Sequence, residues 1–202
     1  MEFLFIGLMG YLIGSVPFAY VIGKVFYGTD VRQHGSGNLG GSNTGRVLGA
    51  KAGVAVMIMD LLKVTFAFFL ATVISDHAFA ACWGALCAAL GHCYPIFVRF
   101  RGGKAVAAFY GFLFALWVFG GCGALVFLVP LVTFLTVLAV TKIVSLSSMI
   151  SACVAVAYVG AIGAGTAVVS TAAICAVLIV LRHSGNIQRM ISGTERKISW
   201  MG

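Results

Sequence analysis

Charge is what this chain lacks most. Only 9% of its 202 residues are charged and only five are acidic, whereas 61% are hydrophobic. The mean hydropathy is +1.09. A soluble domain carries about 25% charged residues, and so few charges cannot cover a surface that faces water. The composition therefore argues against a soluble protein and predicts an integral membrane protein whose surroundings are the lipid bilayer.

Paired cysteine motifs are also lacking. No C-x-x-C occurs, and each cysteine lies in or at the end of an apolar run, which is typical of small buried hydrophobic residues rather than disulfides or metal ligands. We therefore expect no disulfide and no zinc site from these cysteines. No cofactor is expected. The six are Cys82, Cys87, Cys93, Cys122, Cys153 and Cys175.

A cleavable leader and a soluble basic domain are missing as well. Glu2 stands where a signal peptide would be basic, so we expect the first apolar run to be retained as a helix. The net charge is +8, but the chain has no soluble basic domain that could bind nucleic acid. Basic residues in a membrane protein usually reflect its topology. We expect no nucleic-acid partner.

What the chain does have is a series of long apolar runs. They predict an all-α integral membrane protein with seven transmembrane helices, folded as a single polytopic domain over residues 1–202. The fourth and sixth runs are short for a full span and suit tilted or broken helices. The runs cover residues 3–27, 52–75, 78–98, 105–119, 121–141, 149–162 and 165–182.

The basic residues are distributed unevenly between the connectors. Segments 28–51, 99–104 and 142–148 and the tail from residue 182 contain most of them, while the opposite connectors contain Asp76 and no lysine or arginine. The positive-inside rule places the basic side in the cytoplasm, the N-terminus outside and the C-terminus in the cytoplasm. Glycine, serine, asparagine and histidine concentrate in the same segments, so we expect a site that faces the cytoplasm.

The segment HGSGNLGGSNTGR, residues 34–46, contains G-x-G-x-x-G. It follows a predicted membrane helix, so no βαβ unit for a dinucleotide can be built, and Gly41 stands where a phosphate-binding P-loop has lysine. Glycine N–H groups can still form an anion-binding nest, although a flexible surface loop is the alternative. The candidate phosphate ligands are Ser36, Gly37, Asn38, Gly40, Asn43 and the planar guanidinium of Arg46.

A second glycine-rich basic segment precedes the fourth apolar run. Gly102, Gly103 and Lys104 could bind an anion at a helix N-terminus, while the neighbouring Arg99 and Arg101 could be interfacial anchors. Two such segments on one face favour a phosphate pocket.

A run of serines follows Lys142. Ser145 and its neighbours up to Ser148 precede the sixth apolar run, where hydroxyl side chains commonly cap a helix N-terminus. Ser145 could also face the pocket and bind phosphate.

The last polar constellation is RHSGN, residues 182–186. His183 and Asn186 are three residues apart and would share a face if the helix continued. Histidine is a candidate general base near neutral pH, and an ordinary interfacial histidine is the alternative.

Two charges lie inside the second apolar run. Asp60 and Lys63 would each cost about 2.5–3.5 kcal/mol at a helix centre, so they should pair or face a polar cavity. We predict a structural pair that supports the site. His92 and Cys93 are adjacent and would not face each other on a helix, which argues against a catalytic dyad, and no histidine is followed by aspartate in H-x4-D spacing.

These stretches together resemble the acyl-phosphate-dependent glycerol-3-phosphate acyltransferases, the PlsY family. The family pattern resembles GSGN-x-G-x-(T/S)-N-x-x-R, GH-x-x-P-x-x-x-x-F-(K/R)-GGK-x-VA, S-L-x-S and RH-x-x-NI-x-R with a later glutamate. The matching residues here are Gly35–Arg46, Gly91–Ala107, Ser145–Ser148 and Arg182–Arg189 with Glu195. Leu39, Ser42, Arg101, Ala105 and Ser184 depart from the commonest family residues.

The resemblance implies transfer of a fatty acyl group from acyl phosphate to the 1-hydroxyl of sn-glycerol 3-phosphate, giving lysophosphatidic acid and phosphate. It implies seven helices in the bacterial cytoplasmic membrane, no metal, and neither acyl-CoA nor acyl carrier protein as direct donor. By position, Ser36, Arg46, His183 and Asn186 would be catalytic, with Lys104 and Ser145 in the polar pocket. Glu195 would support it.

Several alternatives stay open at this point. His183 or a phosphate oxygen of the substrate could take the hydroxyl proton, and either segment could hold either substrate phosphate. A partner enzyme could deliver the acyl phosphate. The alternative function is a transporter or channel for a small anion such as a phosphate ester, whose vestibule the same basic segments would line.

Overall fold

The computed structural model describes residues 1–198, and in this part of the chain all regular structure is helical. Two short 3₁₀ turns, Val31–Gln33 and Ile96–Val98, lie between the α-helices. The α-helices are α1 (Glu2–Gly14), α2 (Phe18–Tyr27), α3 (Gly41–Leu48), α4 (Ala50–Ile74), α5 (Ala78–Cys93), α6 (Val106–Val118), α7 (Leu125–Thr141), α8 (Val144–Ala161), α9 (Thr166–Arg182) and α10 (Ser184–Ile191).

Several helices are long and apolar enough to cross a bilayer. Four candidate spans satisfy both criteria among the described residues: Glu2–Tyr27, Ala50–Ile74, Phe79–Val98 and Val144–Ala161. The pair α9 and α10, bent by 57°, makes a fifth if it counts as one span, and α6 and α7 are shorter apolar helices. The all-α architecture predicted from the apolar runs is confirmed.

The first apolar run is not one continuous helix. α1 ends at Gly14 and α2 begins at Phe18, with Pro17 as the residue that precedes α2. Proline has no N–H, and its ring collides with the carbonyl four residues earlier in a helix. The prediction of an unbroken helix over 3–27 is therefore wrong.

The chain divides into two compact units, with the boundary between Ala115 and Leu116 inside α6. In the first unit α1 packs against α4 and α5. A side chain at Gly10 or Gly14 would overlap the backbone of α5 at Gly84 or Ala88. Small residues that bring backbones together are the usual device for packing helices in a membrane, where dispersion contacts replace the hydrophobic effect.

The helix α3 occupies part of the segment that we predicted as a loop. Gly41 and Gly45 on α3 face Gly53 on α4, and a Cβ on Gly53 would lie 2.6 Å from the α-carbon of Gly45. The glycines of this segment therefore allow a close helix–helix approach. The prediction of a glycine-rich loop reaching Arg46 is wrong from Gly41 onward.

In the second unit α8 packs against both α7 and α9. α7 ends at Thr141, and the next residue, Lys142, has a φ of +61° that turns the chain directly into α8. α8 therefore begins at Val144 rather than near residue 149. After α10 the chain folds back, and the N–H of Ile198 donates to the carbonyl of Lys142 at 2.9 Å.

The cysteines form no disulfide within residues 1–198. Cys82, Cys87, Cys93 and Cys175 are buried as predicted, but Cys122 is half-buried and Cys153 is exposed. The prediction of burial is therefore wrong for the last two.

Candidate active site

The segment before α3 is organised by one buried side chain, Asn43. Its Oδ1 accepts from the N–H of Ser36 at 2.8 Å, and its Nδ2 donates to the carbonyls of Val31 at 3.0 Å and His34 at 3.2 Å. Both polar ends of the amide are thus used by the backbone, and the residue is 2% exposed. Asn43 shapes this segment, which corrects its assignment as a direct phosphate ligand.

The predicted backbone nest is smaller than the sequence indicates. The N–H of Gly37 donates to the carbonyl of His34 at 3.0 Å, and the carbonyl of Gly40 accepts from the N–H groups of Asn43 and Thr44. Gly37 is therefore corrected from anion donor to turn residue, with a φ of +69°. The remaining donors at this end of α3 are the N–H groups of Gly41 and Ser42, the first two residues of the helix, which have no intrahelical acceptor.

Arg46 projects from α3 as an exposed side chain. No hydrogen bond or ion pair from its guanidinium reaches another residue in the described chain. Arg32 differs, because its Nη2 lies 2.7 Å from Asp30 Oδ2 and its guanidinium lies over the ring of Tyr20. Ser36 is also exposed. We call Ser36, Arg46 and the first turn of α3 the α3 site.

The hydrogen bond from Arg32 holds the pKa of Asp30 below its ordinary value, against the opposing effect of burial. This arginine is therefore neutralised within the protein. Arg46 is the one of the two whose charge is available to a phosphate.

The glycines Gly102 and Gly103 do not present their N–H groups to an anion. They donate to the carbonyls of Cys93 at 3.2 Å and His92 at 3.0 Å. A Cβ on Gly102 would lie 2.7 Å from the Cys93 carbonyl, and one on Gly103 would overlap the His92 imidazole. Close packing is what requires glycine here, so the prediction of a phosphate site on these two N–H groups is corrected.

A side-chain bond joins the two glycine-rich segments of the first unit. Asn38 Nδ2 donates to the carbonyl of Gly102 at 3.2 Å, so Asn38 links segments rather than standing alone as a phosphate donor. Lys104 follows directly and is half-buried, two residues before the start of α6.

The charged pair inside α4 is buried, and both of its members are bonded within the protein. Lys63 Nζ lies 2.7 Å from Asp60 Oδ1 and donates to the carbonyl of Val16 at 2.8 Å, where the break between α1 and α2 exposes an acceptor. His92 Nδ1 lies 3.4 Å from Asp60 Oδ1. The i,i+3 spacing indicated the pair, but nothing in the sequence indicated its third member, 32 positions away.

In the second unit the polar residues converge on Glu195. Its Oε1 accepts from Ser145 Oγ at 2.8 Å and from Asn186 Nδ2, and its Oε2 accepts from Arg189 Nε at 2.8 Å. The Glu195 side chain is 7% exposed. We call Ser145, Asn186, Arg189 and Glu195 the Glu195 network.

Burial raises the pKa of Glu195, but the hydrogen bonds from Asn186, Ser145 and Arg189 lower it by more, so the net pKa lies below the ordinary value. The carboxylate is therefore an anion at neutral pH. A permanent anion fixes the donors around it.

The serines at the start of α8 do not cap it. Ile143 precedes the helix with no side-chain cap bond. Ser147 and Ser148 donate back to the carbonyls of Ile143 and Val144, each at 2.8 Å, and Ser145 donates to Glu195. The capping prediction is wrong, and Ser145 is instead tied to Asn186 through their shared carboxylate.

His183 stands at the bend between α9 and α10 and is 4% exposed. The helix does not continue straight, so the shared face predicted for His183 and Asn186 is replaced by a 57° turn. The His183 Nδ1 lies 2.8 Å from the carbonyl of Ile179. A carbonyl only accepts, so Nδ1 carries the hydrogen, and in the neutral ring Nε2 carries the lone pair.

No cluster of three or more histidine, cysteine, aspartate or glutamate side chains with metal-ligating geometry lies in the part of the chain described.

Comparison with known proteins identifies the family. The family profile described as "Glycerol-3-phosphate acyltransferase" matches residues 4–193. The chain belongs to this family. A glycerol-3-phosphate acyltransferase from Geobacillus sp. (strain WCH70) is 48% identical over 100% of this chain and 99% of its own length. One from Geobacillus kaustophilus (strain HTA426) is 45% identical over 96% of this chain and 95% of its own length.

Two solved structures share the fold. Both are of PlsY (YgiH), an integral membrane glycerol 3-phosphate acyltransferase. The glycerol 3-phosphate form has a TM-score of 0.89 and 34% identity, and the lysophosphatidic acid form has a TM-score of 0.87 and 32% identity. Each match covers 98% of this chain and 96% of the other. Membership of the family favours the acyltransferase over the anion transporter.

Proposed function

We propose that this protein transfers a fatty acyl group from acyl phosphate to the 1-hydroxyl of sn-glycerol 3-phosphate, releasing lysophosphatidic acid and phosphate. The observation that carries the proposal is the match, over 98% of the chain, to an acyltransferase solved in a glycerol 3-phosphate form and in a lysophosphatidic acid form. Lysophosphatidic acid is glycerol 3-phosphate with one acyl chain, so those two ligands are the substrate and product of one acylation.

The chemistry needs no protein nucleophile and no cofactor. The 1-hydroxyl oxygen attacks the acyl carbonyl carbon, a new ester C–O bond forms, and the C–O bond to the phosphate breaks. Acyl phosphate is a mixed anhydride whose leaving group is a stable anion, so a covalent acyl-enzyme would bring little. The protein's tasks are to bind two phosphates, align the hydroxyl and accept its proton.

The α3 site suits the phosphate-binding task in the first unit. Arg46 has a planar guanidinium that can donate two parallel hydrogen bonds to phosphate oxygens. Ser36 adds a hydroxyl, and the first turn of α3 adds the positive end of a helix dipole. Lys104 supplies a second positive charge, so the two phosphates can both be neutralised as charge moves to the leaving group.

The proton-accepting task falls to His183 in the second unit. With Nδ1–H donating to Ile179, the neutral imidazole has its lone pair on Nε2 and can take the hydroxyl proton. Glu195 holds the side chains of Asn186 and Ser145, and we propose that these two polar groups help His183 to orient the substrate. A His183→Ala variant that keeps full turnover would assign the proton to a phosphate oxygen of the substrate instead.

The same proposal places the chain in the bacterial cytoplasmic membrane as one polytopic domain of seven spans, with the N-terminus outside and the C-terminus and active site on the cytoplasmic side. The bent pair and the two shorter apolar helices, added to the four long candidates, make seven. A membrane-impermeant thiol reagent should label Asp76→Cys in intact cells and Lys51→Cys only after permeabilisation, both in a Cys153→Ser background. Labelling of Lys51→Cys in intact cells would reverse the orientation.

The deciding experiment uses purified protein in lipid nanodiscs with radiolabelled glycerol 3-phosphate and palmitoyl phosphate. Labelled lysophosphatidic acid and inorganic phosphate should form in equal amounts, and palmitoyl-CoA or palmitoyl-acyl carrier protein should give no product. Product from either thioester, with none from palmitoyl phosphate, would overturn the proposed donor. If palmitoyl phosphate is the donor, as expected, a separate enzyme that produces acyl phosphate must supply it in the cell.

A further inference from the structure

The buried charges of α4 contact His92, and His92 contacts the glycines that precede Lys104. Asp60, Lys63 and His92 are 2%, 6% and 5% exposed, and they form one chain of contacts from Val16 to the end of α5. Each buried charge is expensive unless it is paired, so the ion pair favours the arrangement in which Asp60 keeps its contacts with Lys63 and His92.

His92 in turn determines the path of the backbone before Lys104. Its carbonyl accepts from the N–H of Gly103 at 3.0 Å. Its ring lies so close to the α-carbon of Gly103 that a methyl group there would overlap it. The residue next in sequence is Lys104, so the backbone that leads into it packs against both the carbonyl and the ring of His92.

We infer that His92 is a positioning residue, which transmits the buried Asp60–Lys63 ion pair to Gly103 and thereby fixes Lys104 for the substrate phosphate. This role rests on the proposed function and adds to it a residue outside the polar pocket. Asn38, which donates to the carbonyl of Gly102, extends the same arrangement to the segment that precedes α3. A displacement of about 1 Å in such a group can cost up to about a hundredfold in rate.

The contact itself is tested by suppression. Gly103→Ala should lower the unfolding temperature of the purified protein because its methyl group meets the imidazole, and His92→Ala in the same chain should relieve that clash. Gly102→Ala is the matched control, because its methyl group meets the backbone carbonyls of His92 and Cys93, which no side-chain truncation removes. Equal suppression of both glycine variants, or of neither, would overturn the contact. The readout is the unfolding temperature and not enzymatic activity, so the result can be interpreted even if the protein does not catalyse the proposed reaction.

The positioning role is tested by a double-mutant cycle on kcat/KM for palmitoyl phosphate and glycerol 3-phosphate. His92→Ala should lose about tenfold or more, and the loss should vanish in a Lys104→Ala background, since His92 then has nothing to position. Thr65→Val is the control: it removes another buried hydrogen bond of α4, to the carbonyl of Gly111, and its effect should be independent of Lys104.

Conservative replacements separate positioning from packing. Asparagine carries its amide at the place of Nδ1 but has no atoms at the places of Nε2 and Cε1, which meet Gly103. His92→Asn therefore keeps a donor toward Asp60 and should be more stable than His92→Ala, but it should lose as much activity as His92→Ala. Glutamine places its amide farther along, so His92→Gln should behave as His92→Ala, and it takes the place of His92→Ala in the cycle if the alanine variant does not fold. Additive losses with Lys104→Ala, or full activity of His92→Gln, would overturn the inference.

Discussion

The two units hold their polar residues in opposite ways. In the first unit the α3 site exposes Arg46, whose guanidinium has no partner among residues 1–198. In the second unit the Glu195 network gathers three donors on one carboxylate that is 7% exposed. The first region presents a charge to solvent, and the second has already used its carboxylate to hold two neutral side chains and one arginine. Mutations should therefore affect activity alone in the first region, and both activity and stability in the second.

The largest effect on activity is expected at Arg46, where a mutation should change activity without changing stability. Arg46→Ala should reduce kcat/KM by about 100-fold, because a charge aimed at a phosphate is lost. It should leave the unfolding temperature within about 2 °C, because the side chain is exposed and makes no hydrogen bond or ion pair with another residue among 1–198. Purified variants in nanodiscs give both quantities.

Lys51→Ala is the matched control for Arg46→Ala, since it also removes an exposed cation, at the start of α4. It should keep both activity and stability. A near wild-type rate for Arg46→Ala would remove Arg46 from the site and end the comparison.

Glu195→Gln is the next test. Glutamine has the same shape but no charge, and its NH₂ group must face one of the three donors. We expect a loss of about 1–3 kcal/mol in the free energy of unfolding and about tenfold in kcat/KM, because Asn186 and Ser145 lose their anchor.

Arg189→Ala is the internal control, because the arginine side chain is 45% exposed and an exposed ion pair contributes less than about 1 kcal/mol. If Glu195→Gln proved as mild as Arg189→Ala, the carboxylate would not organise the network.

The depressed pKa of Glu195 gives the network a pH signature. A group whose pKa is lowered in the folded state stabilises that state above its unfolded pKa, and the contribution is lost as the pH falls through the folded value. The difference in unfolding temperature between wild type and Glu195→Gln should therefore be constant at neutral pH and shrink below pH 4.5, the ordinary glutamate value.

A Glu195→Gln difference that does not change between pH 7 and pH 3 would contradict the role of the ionised carboxylate.

The smallest effect concerns the backbone next to Lys104. Ala105 has a φ of +63° and is fully buried, a conformation that costs a residue with a Cβ about 1–2 kcal/mol. Ala105→Gly should relieve that strain while losing about 0.5–1 kcal/mol of unfolded-state entropy, so stability should rise slightly or stay unchanged. Ala108→Gly, inside α6, should instead cost about 1 kcal/mol. If thermal unfolding showed an equal loss of stability in Ala105→Gly and Ala108→Gly, the backbone at Ala105 would not be strained.

Sequence reasoning reached the membrane class, the helical architecture and the family, and all three are confirmed. It located the Asp60–Lys63 pair because an i,i+3 spacing is a local property of a helix. The break at Pro17 is also a local property, since proline disrupts a helix interior, whereas the predicted run over residues 3–27 rests on hydrophobicity alone. The roles assigned to Ser36, Arg46, His183 and Asn186 stay predictions.

The errors share one cause. Gly41, Gly102 and Gly103 suggested a loop and an anion nest, because glycine favours turns and exposes N–H groups. In the structure they allow close packing against other segments and against the His92 imidazole, which depends on what lies next to them in space and not on their neighbours in sequence. His92 was set aside for the same reason: adjacency to Cys93 was visible, and contact with Asp60 was not.

By itself the sequence determined that this chain is a helical membrane protein of the glycerol-3-phosphate acyltransferase family, because hydrophobic length and ordered motifs are properties of the linear chain. Only the tertiary structure decided which polar groups are used internally. The side-chain amide of Asn43 is hydrogen-bonded to backbone groups, and Glu195 accepts a hydrogen bond from Ser145, 50 positions earlier in the sequence. Arg46 stays exposed. Hydrogen bonds form over about 3 Å, and only the packing of helices brings distant residues within that reach.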